Sequence, residues 1–357
     1  MKTSWIWQAP TWPKFTYDRA AVAPVVSRAL EAGQRLTGAA STVGFDIVDQ
    51  LKLDVWAANA IATAAIEGEQ LDMTRVRSSI ARRLGMTGVP ATRSVEGLLD
   101  VMADAAENPF ADLTDDRLHR WHAQLFDGRF LIHDTEVGRY RSRPMEVVSG
   151  PIGKQIVHYE APPPERMAAE MQAFIEWFNV RADDPVTRAG LAHVWFESIH
   201  PFDDGNGRIG RALIDVALVY PFHGMSAEIE RRKEGYYREL ANATKGSGDL
   251  TAWLTWFAET FEAACAASIK IINDSLERGR FWSKHSAVAI NERQRKALNR
   301  LLEGPFEGGM TPRKYVSLTS TSSVTASRDL ADLAEKEILV RVGGGHATRY
   351  ELTKRSG

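Results

Sequence analysis

With 357 residues, 44% of them hydrophobic and 25% charged, and a net charge of −2, the chain has the size and composition of a soluble globular protein of two or three domains. Its single cysteine, Cys265, excludes an internal disulfide and fits a reducing cytoplasm. No apolar run approaches the length of a membrane span and the N-terminus lacks the apolar core of a signal peptide, so we expect a cytoplasmic protein without a membrane partner.

The chain opens on an aromatic segment that carries Trp5, Trp7, Trp12 and Phe15 among prolines. Because so many aromatic side chains are costly to expose, we expect this segment to pack as an irregular strap on the helices that follow. The apolar pattern then predicts helices over 20–37 and 42–66.

The second of these helices ends in Thr63-Ala-Ala-Ile-Glu67-Gly68. Thr63 and Glu67 are four residues apart and therefore share one face of the helix, and Gly68 is a natural stop. From the residues alone this is also the way in which many ordinary surface helices end.

Further helices are predicted over 94–106, 114–126 and 166–180. The histidines His119 and His122 invite a metal-site interpretation, but no Cys or further His nearby completes such a site, so we expect helix-surface or core histidines. Between the last two helices, two β-prone runs around a Ser-Gly-Pro turn predict a hairpin.

The most informative stretch is His200-Pro-Phe-Asp-Asp-Gly-Asn-Gly-Arg-Ile-Gly-Arg211. A helix predicted over 186–199, with Asp184 as its cap and Pro185 in its first turn, ends at His200. An apolar run over 212–219 predicts a second, buried helix after the stretch.

The residue types in this stretch point to phosphate chemistry. The turn Gly205–Gly207 lies at a helix N-terminus, where free N–H groups and the helix dipole favour a phosphate. Arg208 and Arg211 share a helix face and can reach one polyphosphate, and Asp204 is an oxygen ligand of the kind that Mg²⁺ prefers. His200 can take a proton from a hydroxyl near neutral pH. Together they predict phosphoryl or nucleotidyl transfer.

The same stretch matches, without a gap, the His-Pro-Phe-x-Asp/Glu-Gly-Asn-Gly-Arg-x-x-Arg motif, and the chain thereby resembles the Fic family, most of whose characterised members transfer AMP from ATP to a protein hydroxyl. The resemblance implies a mainly α fold, with a Fic-type helical core and a β-hairpin flap. It implies ATP as substrate, Mg²⁺ held by Asp204, and a protein target that the sequence does not name. His200 would deprotonate a Ser, Thr or Tyr hydroxyl, Arg208 would bind the outer phosphates, and the N–H groups of Gly205–Gly207, with Asn206, would stabilise charge on the α-phosphate.

Other parts of the nucleotide site follow from the resemblance. The predicted hairpin corresponds to the flap that lies over the nucleotide and holds the target segment as an added strand, which assigns Val147, Val148 and Ser149 to the site. Tyr236 and Tyr237 are similar to the residues that line the adenosine pocket in the family.

The pattern Thr63-x-x-x-Glu67-Gly68 resembles the Ser/Thr-x-x-x-Glu-Gly/Asn signature of the N-terminally self-inhibited class of the family. By that resemblance Glu67 pairs with Arg211 and obstructs the ATP γ-phosphate, and self-AMPylation is restrained. The aromatic opening of the chain is similar to the small N-terminal domain often found before bacterial Fic cores.

After a long core helix predicted over 250–276, the chain ends in a different pattern. Helices over 291–302, 311–318 and 324–336, then a hairpin with a Gly-Gly-Gly turn, predict a C-terminal winged helix-turn-helix. From Arg278 onward 15 Lys and Arg oppose 8 Asp and Glu. Ser322, Ser323, Thr325 and Arg328 suit phosphates or base edges, so DNA is a predicted partner, although winged helices also serve as dimerisation modules.

We therefore predict an N-terminal helical domain at 1–90, a Fic catalytic domain at 91–280 and a winged helix-turn-helix at 285–357. Three alternatives to an adenylyltransferase stay open: an enzyme that removes AMP with water positioned by Glu67, a related transferase that donates another nucleotide or a phosphate ester, and a nucleotide-sensing DNA-binding regulator. Self-association as a homodimer is left open as well.

Overall fold

The computed structural model describes residues 5–89, 91–128, 135–149, 156–245, 248–302, 306–345 and 348–353. The chain divides into two compact units, Met1–Ile269 and Lys270–Gly357. The finer boundaries at 90 and 280 stay a prediction.

The first unit is built almost wholly from helices, as predicted. Its helices are α1 (Arg19–Ser41), α2 (Phe45–Ile66), α3 (Met73–Arg83), α4 (Arg93–Glu107), α5 (Asp115–Phe126), α6 (Met167–Val180), α7 (Pro185–Ile199), α8 (Asn206–Leu218), α9 (Met225–Arg231), α10 (Lys233–Ala243) and α11 (Thr251–Lys284), the last of which continues past Ile269. The sequence analysis did not predict α3, α9 and α10. None of the helices in the described residues is long and apolar enough to cross a bilayer.

Helix α7 forms the centre of this unit. Its start is fixed as predicted, because the Asp184 carboxylate accepts hydrogen bonds from the backbone N–H groups of Val186 and Thr187. Every residue from Val186 to Ile199 is buried, so the helix has no solvent face. The long helix α11 packs on it where the Trp253 indole N–H donates to the Gly190 carbonyl over 2.8 Å. A helix enclosed on all sides gives the residue at its end a fixed position.

The predicted hairpin is present as β1 (Glu146–Ser149) and β2 (Ile156–Glu160). The strands are antiparallel, Glu146 pairs with Glu160, and the register shifts between Val147 and Val148. The predicted turn at 150–155 and the side chain of Ser149 lie outside the described residues.

The N-terminal aromatic segment does form an irregular strap, with a short 3-10 turn at Ile6–Gln8, but its partners differ from those we expected. The Trp5 ring packs edge-on against Tyr159 of β2 at a centroid distance of 5.2 Å. Trp12 and Phe15 pack against Trp195 of α7. The strap therefore packs on helix α7, which follows it in the chain, and also on strand β2, which was not expected.

The second unit contains the predicted order of elements, α12 (Glu292–Leu302), α13 (Pro312–Thr319), α14 (Ser323–Glu335), β3 (Leu339–Val342) and β4 (Arg349–Leu352). Its core is closed by Leu298, Tyr315 and Leu330, which are fully buried. The buried Asp329 accepts hydrogen bonds from the Tyr315 hydroxyl and the Arg293 guanidinium, so a polar group is satisfied inside this small core. The name winged helix for this unit stays a prediction.

Candidate functional site

A cavity of about 510 Å³ lies at the junction of α2, the flap, the α7–α8 loop and α10. Most of the residues singled out by the sequence analysis meet here. Its lining comprises Glu67, Val147, His158, Tyr159, Glu197, His200, Asp203, Asp204, Gly205, Asn206, Gly207, Tyr236, Tyr237, Leu240, Ala241 and Thr244. Val148 is exposed on β1 and is not part of this lining. Thr63, Arg208 and Arg211 lie buried behind it.

His200 sits on the last turn of α7 in a left-handed backbone conformation, with φ +51°. Its N–H donates to the Phe196 carbonyl over 2.9 Å, and its Nδ1 lies 3.4 Å from the Glu197 carbonyl and 3.8 Å from the Glu197 carboxylate. Burial lowers the pKa of His200 to about 4. The imidazole is therefore neutral at pH 7, which is the form that accepts a proton.

Arg141, to which the sequence analysis assigned no role, holds the backbone around His200. This fully buried guanidinium donates to the His200 carbonyl over 2.8 Å and to the Pro162 carbonyl over 2.6 Å. The Arg141 backbone N–H donates to the Pro201 carbonyl over 2.9 Å. A planar donor that satisfies several carbonyls at once fixes the loop in place.

The loop between His200 and α8 is closed by Asn206. Its buried side chain accepts from the Phe202 N–H over 3.0 Å and donates to the Phe202 carbonyl over 2.8 Å. The Asn206 side chain therefore fixes the loop, because both ends of its amide bind Phe202. Gly205 caps α8 with φ +82°, a conformation that glycine adopts without strain.

His122 of α5 supports the loop that follows His200. His122 is buried, stacks on Phe202 at 4.2 Å, accepts from the Gly138 N–H and donates through Nε2 to the Asp204 carbonyl over 3.1 Å. Burial lowers its pKa to about 4. His122 is thus a core residue, as one reading of the sequence predicted, and it supports the loop.

Arg211, the last residue of the motif, is buried and held by the end of α2. Its Nε donates to the Thr63 hydroxyl over 2.6 Å, and its Nη2 donates to the Glu67 carboxylate over 2.7 Å. Although burial lowers the pKa of Arg211, the negative charge of Glu67 more than compensates, and the pKa is raised. A Cβ at Gly207 would collide with the Glu67 carboxylate, so this glycine admits the contact.

Arg208 is paired as well, with a residue that the sequence analysis did not consider. Its buried guanidinium lies 3.1 Å from the Glu69 carboxylate and 3.5 Å from that of Asp204, and it stacks over Phe126 at 5.5 Å. Glu69 lies outside the six-residue pattern that drew attention to Glu67. Both motif arginines are therefore neutralised by carboxylates that follow α2.

Glu197 is a further residue that sequence reasoning missed, although its position one turn before His200 was a signal. Its carboxyl is buried, and its Oε1 has no hydrogen-bond partner among the described residues. Burial and the nearby Glu67 charge raise the pKa of Glu197 to about 8. The group is therefore mainly protonated at pH 7.

Tyr236 and Tyr237 have different hydrogen-bond partners. Tyr236 is buried, lies 2.9 Å from the His193 Nε2 through its hydroxyl, and packs against Trp253 and Trp256. The Tyr237 hydroxyl donates to the Ile66 carbonyl over 2.8 Å. The pair thus forms an aromatic wall of the cavity and reaches the end of α2.

The exposure of the Asp204 side chain is compatible with a Mg²⁺ ligand. Its side chain is 61% exposed, in contrast to the buried arginines beside it. Mg²⁺ bound with a nucleotide usually takes one or two protein carboxylates and completes its shell with phosphates and water. Among the described residues no group of three or more His, Cys, Asp or Glu side chains is arranged to hold a metal ion.

Two families match separate parts of the chain. Residues 5–86 match a domain of unknown function, DUF4172, and residues 112–218 match the Fic/DOC family. The second match contains His200, the glycine turn and both motif arginines.

Curated relatives match parts of the chain. A probable protein adenylyltransferase of Aquifex aeolicus is 34% identical over 90 residues, which cover 25% of this chain and 28% of the relative. The protein adenylyltransferase Fic of Nematostella vectensis is 26% identical over 207 residues, 56% of this chain and 45% of the relative. The chain thus spans less than half the length of these relatives.

A solved structure resembles nearly the whole chain. The crystal structure of a Fic family protein from Desulfovibrio desulfuricans G20 superposes with a TM-score of 0.58 at 22% identity, and covers 97% of this chain and 99% of that one. At this identity the likeness concerns the fold.

Proposed function

We propose, from the premise that this chain carries a domain of the Fic/DOC family, that it transfers AMP from ATP to a hydroxyl group of a protein. The observation that carries this proposal is that one cavity brings His200, the start of α8 and two tyrosines together. A base, an anion site and an aromatic wall are what transfer of a nucleotide requires. The two relatives named as adenylyltransferases support the same activity.

The reaction would begin at His200. The neutral imidazole takes the proton of a Ser, Thr or Tyr hydroxyl, and the oxygen attacks the α-phosphorus of ATP. The bond from that phosphorus to the bridging oxygen breaks, and pyrophosphate leaves. Arg141 and Glu197 position the imidazole, the first through the backbone and the second beside Nδ1.

The phosphates would bind at the start of α8. Backbone N–H groups of Gly205–Gly207 and the helix dipole face negative charge there, and Arg208 and Arg211 lie within the first two turns. Mg²⁺ would be held by Asp204 and would neutralise charge on the phosphates. The protein target would add a strand to the flap, where Val147 and Val148 are partly exposed.

In the conformation described here both arginines are occupied, and this supports self-inhibition. The Glu67 carboxylate holds Arg211, so Arg211 is withheld from a γ-phosphate. A γ-phosphate that is not held leaves the α-phosphate without the in-line geometry that transfer needs. Thr63 also holds Arg211, since it accepts two hydrogen bonds from that guanidinium. We call the contact of Glu67 and Thr63 with Arg211 the inhibitory clamp.

We extend the inhibitory assignment to Glu69. Its carboxylate takes Arg208 in the same way that Glu67 takes Arg211, and only Gly68 stands between the two acids. A segment that presents one acid to each motif arginine excludes the outer phosphates by charge as well as by volume. Release of α2 would then free both arginines together.

Incorporation of labelled AMP, at saturating ATP and Mg²⁺, tests the activity and its restraint. Glu67→Gly should raise self-AMPylation at least about tenfold over wild type, since the clamp on Arg211 is lost. Glu69→Gln should raise it less, Arg211→Ala should not raise it, and the exposed Glu31→Gln serves as control. No incorporation by any variant would sink the transferase proposal, and equal rates for wild type and Glu67→Gly would sink the inhibition alone.

Removal of AMP is a second candidate, favoured by the position of Glu67 in the same cavity as His200. A carboxylate there can position a water molecule for attack on a bound AMP ester. Wild type and Glu67→Gln would be incubated with a protein modified beforehand by Glu67→Gly. Release of AMP by wild type alone would favour this candidate, and no release by either would dismiss it.

For the second unit we propose DNA binding through α14. Ser322 caps this helix after a tight turn at Ser320, and Val324 beside it is 71% exposed. A helix that follows α13 so closely and shows its N-terminal turn to solvent resembles a recognition helix. Binding to genomic fragments should weaken steeply with salt and fall in Arg328→Ala. Binding that does not weaken with salt, or no binding at low salt, would contradict DNA binding by this unit. The same results would argue against a nucleotide-sensing DNA-binding regulator.

A further inference from the structure

A second cavity lies in the first unit, between α2, α4 and the C-terminal end of α8. Its volume is about 160 Å³, and it shares no lining residue with the cavity around His200. Three aromatic side chains, Trp56, Tyr220 and Phe222, line it together with the polar groups of Asp215 and His223. Concave sites lined by aromatic side chains with a few polar groups are typical of small-molecule binding.

The polar groups of this cavity are not satisfied by one another. The His223 Nε2 lies 3.7 Å from the Asp215 carboxylate, beyond a normal hydrogen bond, and its buried Nδ1 has no partner among the described residues. Burial lowers the pKa of His223 to about 4, so the ring carries no charge at pH 7. Among the described residues no Lys or Arg forms an ion pair with Asp215.

The wall that carries His223 is held in a strained shape. Val219 and Phe222 both adopt left-handed backbone conformations, with φ +54° and +59°. Residues other than glycine usually avoid this region. Asn59 of α2 fixes this turn, because its amide donates to the His223 carbonyl over 3.2 Å and accepts from the Ala227 N–H over 3.3 Å. Strain of this kind persists where surrounding structure enforces it, and it is concentrated at functional sites.

We propose that this cavity binds a small organic cation, with its charge at Asp215 and its body against the aromatic side chains of Trp56, Tyr220 and Phe222. Burial raises the pKa of Asp215 to about 7 although the Arg211 charge lowers it, so at pH 8 the carboxyl group is mainly ionised. In that form it attracts a cation and repels an anion, and aromatic faces attract cations further. Because a cavity of about 150 Å³ holds a benzene molecule, the ligand is limited to roughly six to nine non-hydrogen atoms.

The cavity stands next to the inhibitory clamp without being part of it. Asn59 and Thr63 follow one another at a spacing of four on α2, and Arg211 and Asp215 do so on α8. A bound cation would therefore touch both helices one turn away from the contact between Thr63 and Arg211. The binding itself does not depend on the transferase activity, since none of its residues takes part in it.

Isothermal titration of the full chain at pH 8 with three ring compounds of one size tests the proposal. Benzylamine is the cation, benzyl alcohol its neutral counterpart and benzoate the anion. We expect benzylamine to bind at least about tenfold more tightly than the other two. Asp215→Asn should weaken benzylamine about tenfold and leave benzyl alcohol within about twofold, while Glu259→Gln, a change to an exposed carboxyl group, should alter neither.

Three results would overturn the proposal. Equal affinity for the three compounds would show that charge is not recognised. Unchanged binding of benzylamine to a folded Asp215→Asn variant would place the cation elsewhere. No heat from benzylamine up to about 10 mM would show that the cavity takes no such ligand. Should Asp215→Asn fail to fold, the ranking of the three compounds on the wild-type protein decides alone.

Discussion

The backbone conformation of His200 decides which substitution tests its part as the base. Because φ is +51°, alanine would add strain, whereas asparagine tolerates the left-handed region and removes the base. In the Glu67→Gly background, His200→Asn should lower AMP transfer by about 10² to 10⁴-fold and change the melting temperature little. Labelled AMP incorporation and thermal unfolding measure the two effects. Transfer at the parental rate would rule out the mechanism.

The pH dependence of transfer follows from the same residue. A base acts in its unprotonated form, so a pKa lowered to about 4 places the acid limb of kcat/KM well below pH 6. Activity of the Glu67→Gly variant should therefore stay level from pH 8 down to about pH 5.5. A limb centred near the ordinary histidine value of about 6.5 would show that burial does not control this imidazole.

The raised pKa of Glu197 predicts that the stability of the fold depends on pH. Its folded pKa of about 8 exceeds the unfolded value of 4.5, so the folded state binds the extra proton. Its contribution is fully present below pH 4.5 and is lost as pH rises through 8. Glu197→Gln should thus gain free energy of unfolding relative to wild type between pH 5 and pH 8, measured by urea unfolding, while Glu259→Gln should not. A constant difference would mean that the carboxyl is ionised throughout.

At the scale of elements, the sequence predicted best the helices that begin at a capping residue next to their first turn. Asp184 accepts the hydrogen bonds that its position predicted, and Thr114 and Ser322 cap their helices in the same way. Helix α3 was missed because it is very polar and is secured by ion pairs to another helix, such as Arg83 with Glu96. Partners so far apart in sequence cannot be found by reading one segment at a time.

In the candidate site, too, local patterns were predicted and long-range contacts were missed. The motif from His200 to Arg211 was evident because its residue types are contiguous. Arg141 and Glu69 were missed because their roles depend on which carbonyl or guanidinium lies within about 3 Å, a fact of tertiary structure.

Helix α10 supports the end of α2, and this yields a prediction. Lys233 donates over 2.7 Å to the Ala65 carbonyl in the last turn of α2, which also accepts the Gly68 N–H. Lys233→Met keeps the apolar stem and removes the donor, so it should loosen α2 and raise self-AMPylation a few-fold, less than Glu67→Gly does. The exposed Lys270→Met is the matched control. No rise would indicate that the last turn of α2 needs no support from α10.

At the scale of the whole molecule, every residue assigned to transfer lies in the first unit. Phe281 and Trp282 pack against the core of the second unit, so a truncation should remove them with it. A chain ending at Gly279 should therefore keep the rate of AMP transfer of Glu67→Gly within about twofold, measured at matched protein concentration. A large loss would mean that the second unit completes the catalytic one.

The glycine at position 207 limits how mutation can relieve the restraint. A side chain at this position would collide with the Glu67 carboxylate, and at the start of α8 it would also crowd the proposed phosphate site. A random library selected for hyperactive variants should therefore yield changes across Thr63–Glu69 and none at 207, because any change at 207 that expels the inhibitor also expels the substrate. Under the proposed restraint, heritable escape arises at the end of α2, in the segment after it and at its support Lys233, and not in the residues that carry the chemistry.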